Sequence, residues 1–320
     1  KAVMKKNNSP VLLLFCAMAV FLNSALNAQV LNENLKDTGM NFSLQTYSFS
    51  KLLNDRIKGR GPGISLEELM EYAKEQGFEA IDLTGYYFPG YPELPSDKYL
   101  AGLKSKADEL GLAISGVGVK NDFATIDTIS WATDVRHVRE WIGVAQKLGA
   151  PVLRIFAGQA LEQETMDSQL NRVAMAIKQC IPLAREKGVK IGIQNHGEVL
   201  KTADHVLELI KRVNSPWFGV IVDSGYFSPD VPYTHIREVM PHTVSFLLKE
   251  RINYADTPIP IDLEEIMKIL KEENYNGYVL IETLSAKGKS EGKKQRSSYD
   301  PYIAIPHFLS NVRKAYRANL

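Results

Sequence analysis

Phe218-Gly-Val-Ile-Val-Asp223-Ser-Gly225 is an apolar run that stops at a carboxylate, and two other segments in the second half of the chain have the same form. Ile191-Gly-Ile-Gln194-Asn-His-Gly197 precedes it, and Tyr278-Val-Leu-Ile-Glu282-Thr283 follows it. Strands that are buried on both faces of a parallel sheet read as such apolar runs. The polar residues that end them would lie at the carboxyl edge of the sheet, so we expect the functional site there.

Strand-like runs alternate with helical patterns eight times, which favours a closed (β/α)8 TIM barrel over a doubly wound sheet. A doubly wound nucleotide-binding fold would also have a glycine-rich turn after its first strand, but Tyr47-Ser-Phe-Ser-Lys51 contains no glycine. We therefore expect one barrel domain over 41–320 and neither NAD nor a nucleotide as cofactor. The predicted strands are Phe42–Ser48, Phe78–Leu83, Ala113–Val119, Val152–Ala157, Lys190–Gln194, Phe218–Asp223, Thr243–Lys249 and Tyr278–Thr283.

Helix signals lie between these strands. Ser65 and Glu68 are spaced as a capping box at the start of a helical pattern over Ser65–Gln76. A second pattern, Asp97–Leu110, is followed by Gly111, the residue type that most often ends a helix. Both signals support the alternation of strands and helices.

The N-terminal segment has the form of an export signal. Met4-Lys5-Lys6 leads into the apolar stretch 11–22, and small residues follow up to Ala28. We expect residues 1–28 to be removed, residues 29–40 to form a linker, and the mature protein to be exported, most simply to the periplasm, without a membrane anchor. Retention as a lipoprotein on Cys16 is the alternative.

The composition limits the partners. The chain has 320 residues, 45% of them hydrophobic, and a formal net charge of +1. This balance argues against a nucleic acid, whose phosphates usually require a basic surface. We expect a small-molecule partner, and the sequence leaves the oligomeric state open.

The strand ends suggest a metal site. Side chains two apart on a strand point the same way, so Gln194 and His196 should share a face. Asp223 and Glu282 each end an apolar strand, where an ionised carboxylate needs a cation or several hydrogen-bond donors. Together, these four residues could hold one divalent cation such as Mn²⁺, Mg²⁺ or Zn²⁺. Lys249, at the end of the seventh predicted strand, is a further candidate.

At this point the sequence resembles the xylose-isomerase-like TIM-barrel family, also called the sugar-phosphate isomerase/epimerase-like superfamily. The resemblance implies one divalent metal, bound by Glu, Asp, His and Glu at strands five to eight. Asp223 and Glu282 match two of these positions, whereas Gln194 and Leu247 depart from the other two. The resemblance extends over the mature chain and is carried by 44–49, 152–156, 194–197, 218–225, 248–249 and 281–282.

The resemblance implies a sugar isomerase or epimerase that removes a proton next to a carbonyl. Glu282 is then the leading base, His196 the acid or second base, and Lys249 a further catalytic residue. Gln194 cannot take a proton and Leu247 can bind no metal, so Lys249 and Arg154 would stabilise the enolate if the metal is lost. A lyase that eliminates a β-substituent from the same enolate is the first alternative, and a catalytically silent sugar-binding barrel is the second.

Export would make an unphosphorylated carbohydrate the expected substrate, because phosphorylated sugars are scarce outside the cytoplasm. The insertions Asn54–Gly63 and Tyr86–Pro95 follow strands and should overhang the barrel mouth, and the tract Ser285–Ser298 should form a loop after the last strand. Five residues are the predicted substrate contacts: Arg154, Tyr47, Gln45, Asn121 and Glu250.

Overall fold

The computed structural model describes residues 40–228, 230–252, 259–284 and 299–319. The predicted signal peptide and tract 285–298 lie outside the described residues, as does all of the predicted linker except Met40. None of the helices in these ranges is long and apolar enough to cross a membrane.

Eight parallel strands close into a barrel, which confirms the predicted fold. Each barrel strand pairs with the barrel strands that precede and follow it in the chain, and the last pairs with the first. Two short strands, β8 (Arg251–Ile252) and β9 (Ile259–Pro260), form a separate antiparallel pair. The barrel strands are β1 (Asn41–Gln45), β2 (Ala80–Thr84), β3 (Ala113–Gly118), β4 (Val152–Ile155), β5 (Lys190–Gln194), β6 (Phe218–Asp223), β7 (Thr243–Lys249) and β10 (Tyr278–Glu282).

Helices alternate with the strands and surround the barrel. The predicted capping box of Ser65 and Glu68 is present, and Gly111 ends its helix in the left-handed conformation with φ 58°. In the described ranges the α-helices are α1 (Ser50–Ile57), α2 (Leu66–Glu75), α3 (Asp97–Leu110), α4 (Thr128–Leu148), α5 (Met166–Lys187), α6 (Ala203–Val213), α7 (Pro232–Val239), α8 (Leu263–Glu272) and α9 (Pro301–Ala318).

The strand bounds differ from the prediction mainly in the first half of the chain. The first strand was predicted to reach Ser48, but it ends at Gln45 because Thr46–Phe49 turns into a 3-10 helix whose start is capped by the Gln45 side chain. The insertion predicted from Asn54 begins inside α1, so its first turn is helical rather than loop.

Apolar side chains fill the barrel below its carboxyl end. Four of them form a buried cluster within the barrel, while the larger core packs the strands against the surrounding helices. Full burial of such a side chain stabilises the fold by about 1.5–3 kcal/mol. The cluster therefore forms an apolar floor beneath the strand ends. Its members are Val152, Ile221, Leu247 and Leu280.

Candidate active site

Above this floor lies a layer of buried polar side chains, contributed by every barrel strand except β3. The strand alternation aims these side chains at the barrel axis, and none is more than 5% exposed. We call this set the polar layer. It consists of Gln45, Asp82, Thr84, Arg154, Gln194, Asp223, Lys249 and Glu282.

Lys249 connects the two carboxylates of strands six and ten. It ends β7, which lies between β6 and β10, and its backbone is in register with Glu282. Its ammonium lies 3.1 Å from Asp223 Oδ2 and 2.9 Å from Glu282 Oε1. Burial by itself would lower the pKa of Lys249, but the two carboxylates outweigh it and raise this pKa. The side chain is thus a fixed cation and not a nucleophilic amine.

Asp223 is held from several directions. Gly225 N donates to its Oδ1 at 3.0 Å, and Gln194 Nε2 donates to its Oδ2 at 2.6 Å. The Asn195 side chain pairs with the backbone of Asp223 through two further hydrogen bonds of 2.6 and 3.1 Å. With both oxygens engaged, Asp223 is well suited to hold Lys249 and poorly suited to move.

Glu282 is bound less tightly. Its Oε1 lies 2.9 Å from the Lys249 ammonium, and this oxygen has no hydrogen bond besides that ion pair. A buried carboxylate whose one polar contact among the described residues is a fixed ammonium is arranged to accept a proton from a ligand. Glu282 is therefore the strongest base candidate in the polar layer.

Arg154 organises the opposite side of the layer. Its guanidinium donates to Gln194 Oε1, Asp82 Oδ1 and Thr84 Oγ1, each at 3.3 Å. Gln45 Nε2 donates to the same Asp82 oxygen at 2.7 Å, and Gln45 Oε1 accepts from Thr84 Oγ1 at 3.1 Å. Burial raises the pKa of Asp82, although Arg154 acts in the opposite direction. The predicted substrate contacts Gln45 and Arg154 are thus largely occupied by their neighbours.

Glycines on β3 make room for the ion pair of Arg154 and Asp82. A Cβ atom at Gly118 would lie 2.5 Å from Arg154 Cζ, and one at Gly116 would lie 2.5 Å from Asp82 Oδ2. Real Cβ atoms do not approach other atoms so closely. β3 therefore adds no side chain to the polar layer, and its glycines leave the room that Arg154 and Asp82 occupy.

Aromatic rings form the rim of the barrel mouth. Tyr226 lies with its ring centroid 4.5 Å from Lys249 Nζ, and the His196 ring packs on Tyr226 at 4.1 Å between centroids. Across the mouth, the Tyr86 hydroxyl interacts electrostatically with Arg154, and the half-exposed Tyr47 packs against Tyr86. Such rings can cover the apolar C–H face of a sugar.

Two predicted substrate contacts are engaged elsewhere. The Asn121 amide donates to Phe156 O at 2.6 Å and accepts from Phe156 N at 2.9 Å, so it ties the loop after β3 to the end of β4. Glu250 follows Lys249 and belongs to the opposite face of the strand end, where its charge interacts with Arg251 and with His307 of α9. Neither residue is part of the polar layer.

The predicted metal ligands do not fit a divalent cation. Gln194 turns its NH2 group to Asp223 while its oxygen accepts from Arg154, and the Lys249 ammonium takes the place between the carboxylates. His196 lies beyond the end of β5, where the backbone turns so that His196 N donates to Gln194 O at 2.8 Å, and the strand alternation no longer applies. Within the described ranges, no three His, Cys, Asp or Glu side chains converge so that they could hold a metal.

Three contributors to the site were not predicted. Asp82 carries the signal that identified Asp223, a carboxylate within an apolar run, but it lies inside its strand rather than at the end. Thr84 and Tyr226 show no comparable signal, because single hydroxyl-bearing and aromatic residues near strand ends are common. Tyr86 belongs to a predicted insertion over the barrel mouth, and its contact with Arg154 agrees with that placement.

A family model described as the xylose isomerase-like TIM barrel matches residues 70–300. The chain belongs to this family. Among curated proteins it is similar to an inosose dehydratase of Clostridium perfringens, with 25% identity over 146 residues, which are 38% of this chain and 47% of that protein. The chain thus spans about half the length of the curated relatives that it matches.

Solved structures of this fold include enzymes of two kinds. A D-psicose 3-epimerase superposes with a TM-score of 0.67 at 18% identity, covering 87% of this chain and 98% of that one. A probable 3-DHS dehydratase from Bacillus anthracis superposes with a TM-score of 0.60 at 18% identity, covering 87% and 99%. At this identity the structural likeness establishes the fold. The proteins that this chain resembles thus include an epimerase and two dehydratases, one of them described as probable.

Proposed function

We propose that this chain is an enzyme that removes a proton next to the carbonyl of an unphosphorylated keto-sugar and then eliminates a β-substituent from the enolate. The observation that carries the proposal is the asymmetry of the carboxylates. Among the described residues the one polar contact of Glu282 is Lys249, whereas both oxygens of Asp223 accept hydrogen bonds. A single base beside a fixed cation is the minimum that enolate chemistry requires.

In this mechanism Glu282 takes the proton from carbon, and the negative charge moves to the carbonyl oxygen. The Lys249 ammonium, with Arg154 as a second fixed positive charge across the layer, stabilises that oxygen electrostatically. The electron pair then forms the carbon–carbon double bond as the bond to the leaving oxygen breaks. Protonated Glu282 returns its proton to that oxygen, so one carboxylate completes the reaction, and His196 at the rim is the alternative donor.

We favour elimination because the polar layer lacks a second residue that could donate a proton to the opposite face of the sugar. Epimerisation by two bases needs a proton donor on the opposite face of the sugar, and Gln194, which stands where the family has a glutamate, cannot donate a proton as an acid. Asp82 is held by Gln45 and Arg154. The similarity to an inosose dehydratase also supports a loss of water or of another oxygen substituent.

Isomerisation or epimerisation is the second candidate. The structural likeness to D-psicose 3-epimerase supports epimerisation. For isomerisation one carboxylate suffices, because the proton returns to a neighbouring carbon on the same face. The predicted export to the periplasm supports an unphosphorylated substrate in both cases.

The test uses the full chain and a panel of unphosphorylated ketoses and 3-keto-glycosides in heavy water. Elimination predicts an unsaturated product or a released alcohol, whereas isomerisation and epimerisation predict deuterium in an intact sugar. In both cases Glu282→Gln should remove most of the turnover. If no member of the panel exchanges or reacts, and Glu282→Gln changes only ligand affinity, the sugar-binding barrel is the correct interpretation.

A further inference from the structure

The carboxylates of Asp223 and Glu282 already have a cation between them. Lys249 reaches them from the intervening strand, with N–O distances of 3.1 and 2.9 Å, and is only 5% exposed. A divalent metal bound by the same two oxygens would need them at about 2.0–2.6 Å. The ammonium and the metal would therefore compete for the same oxygens.

The other groups around the two carboxylates suit a lysine ammonium and not a divalent metal. Leu247, one inward position below Lys249, belongs to the apolar floor and offers no donor atom. Gln194 presents its NH2 group to Asp223, an orientation that suits an anion and repels a cation. The Tyr226 ring lies against the ammonium and stabilises a monovalent cation through its π face.

The net charge of the polar layer also argues against a divalent metal. The polar layer contains Asp82, Asp223 and Glu282 against Arg154 and Lys249, so it has one excess negative charge when all five are ionised. Adding a divalent cation would reverse that sign and place two cations within a few ångströms in a buried region. Repulsion between such charges is strong where water is excluded.

We propose that Lys249 is the resident cation of this site and makes it independent of a divalent metal. The side chain fills the role that a bound metal would have, namely to hold the carboxylate pair and to neutralise developing negative charge. Two results follow: the unaltered chain does not take up a divalent metal at the pair, and removal of the ammonium opens a binding position for one. This goes beyond the proposed function, because it concerns what the carboxylate pair holds whichever reaction takes place.

The first experiment is a titration of the full chain with Mn²⁺, in which the free ion is followed by electron paramagnetic resonance. The unaltered protein should show no saturable binding that depends on Asp223 or Glu282. Lys249→Ala should gain at least about tenfold in Mn²⁺ affinity. The double variant Lys249→Ala with Asp223→Asn should lose this gain, and Lys120→Ala, which removes a lysine near the rim ring Tyr86, is the matched control.

Thermal unfolding gives a second readout that requires no activity. Mn²⁺ should raise the melting temperature of Lys249→Ala and leave that of the unaltered chain unchanged. If Lys249→Ala does not fold without metal, refolding in the presence and absence of Mn²⁺ makes the same comparison.

Two results would overturn the proposal. One is stoichiometric metal in the unaltered protein that disappears in Glu282→Gln. The other is a Lys249→Ala variant that folds but binds Mn²⁺ no better than the control, since the ammonium would then not be what occupies the position. Neither result depends on the identity of the sugar, so failure here is distinguishable from failure of the proposed function.

Discussion

On one side of the barrel mouth Arg154 donates to three side-chain acceptors at 3.3 Å, whereas on the other side Lys249 lies 2.9 and 3.1 Å from two carboxylates. The arginine side is interlocked, because Asp82 is also held by Gln45. On the lysine side, the one polar contact of Glu282 among the described residues is Lys249. Both sides bury a cation, but the lysine side also holds the carboxylate with the fewest hydrogen bonds. We infer that the arginine side mainly supports the geometry and adds its charge, whereas the lysine side holds the base.

Glu282→Gln should have the strongest effect on activity, because it keeps the size of the side chain and removes its ability to take a proton. Turnover should fall by on the order of 10²–10⁴-fold. The measurement is the rate of deuterium exchange or product formation with the substrate found in the panel. Glu250→Gln, on the opposite face of a strand end, is the control and should keep its activity. Equal losses in both variants would contradict the assignment of Glu282.

A change on the arginine side should lower the free energy of unfolding more than it lowers the rate of turnover. Asp82→Asn leaves the buried Arg154 without its carboxylate, and breaking such a pair costs about 3–5 kcal/mol of unfolding free energy. Denaturant unfolding measures this loss. The turnover of the folded fraction should fall much less than in Glu282→Gln. A variant that is fully stable but inactive would place the chemistry on the arginine side and reverse the comparison.

Gly118→Ala tests the arginine side in another way, because it moves Arg154 without changing its charge. The added methyl group would lie 2.5 Å from Arg154 Cζ, so the guanidinium must shift. Because Arg154 also fixes Gln194, we expect a rise in KM of about tenfold, or about 1.4 kcal/mol of lost binding, with a smaller change in kcat.

The control for this variant is Gly102→Ala on α3, where nothing lies within 4 Å of the new methyl group. It should be neutral or slightly stabilising, because alanine favours a helix over glycine. If the KM values of the two variants are equal, the space at β3 is not what positions Arg154.

The smallest expected effect is that of alkaline pH. The pKa of Lys249 is raised in the folded chain, so its contribution to stability is complete below its ordinary value of about 10.4 and is lost only as the pH rises through the folded value. The difference in melting temperature between the unaltered chain and Lys249→Met should therefore stay constant between about pH 7 and pH 9. A difference that shrinks within this range would mean that the ammonium titrates there.

Much of the barrel was predictable from the chain itself. The bounds of β5, β6 and β7 match the prediction to the residue, because these apolar runs end at a polar residue followed by a change of pattern. The first strand was predicted too long, because no residue in Thr46-Tyr-Ser-Phe49 indicates the 3-10 helix that forms there. At the site, Gln194, His196, Asp223 and Glu282 were predicted to converge. The structure brings Gln194, Asp223 and Glu282 together around Lys249, because the ends of parallel strands meet at one edge, and it places His196 at the rim.

Contacts across the barrel were not predictable in this way. Asp82 and Arg154 are 72 residues apart, and only the closure of the strands brings them together. The orientation of the Gln194 amide depends on Arg154, and the place of Lys249 between two carboxylates depends on the order β6-β7-β10. Local patterns of apolar residues were enough to predict the strands, their direction and the polar groups that end them. The pairing of those groups followed from the folded barrel, because hydrogen bonding among buried charges depends on distances of a few tenths of an ångström.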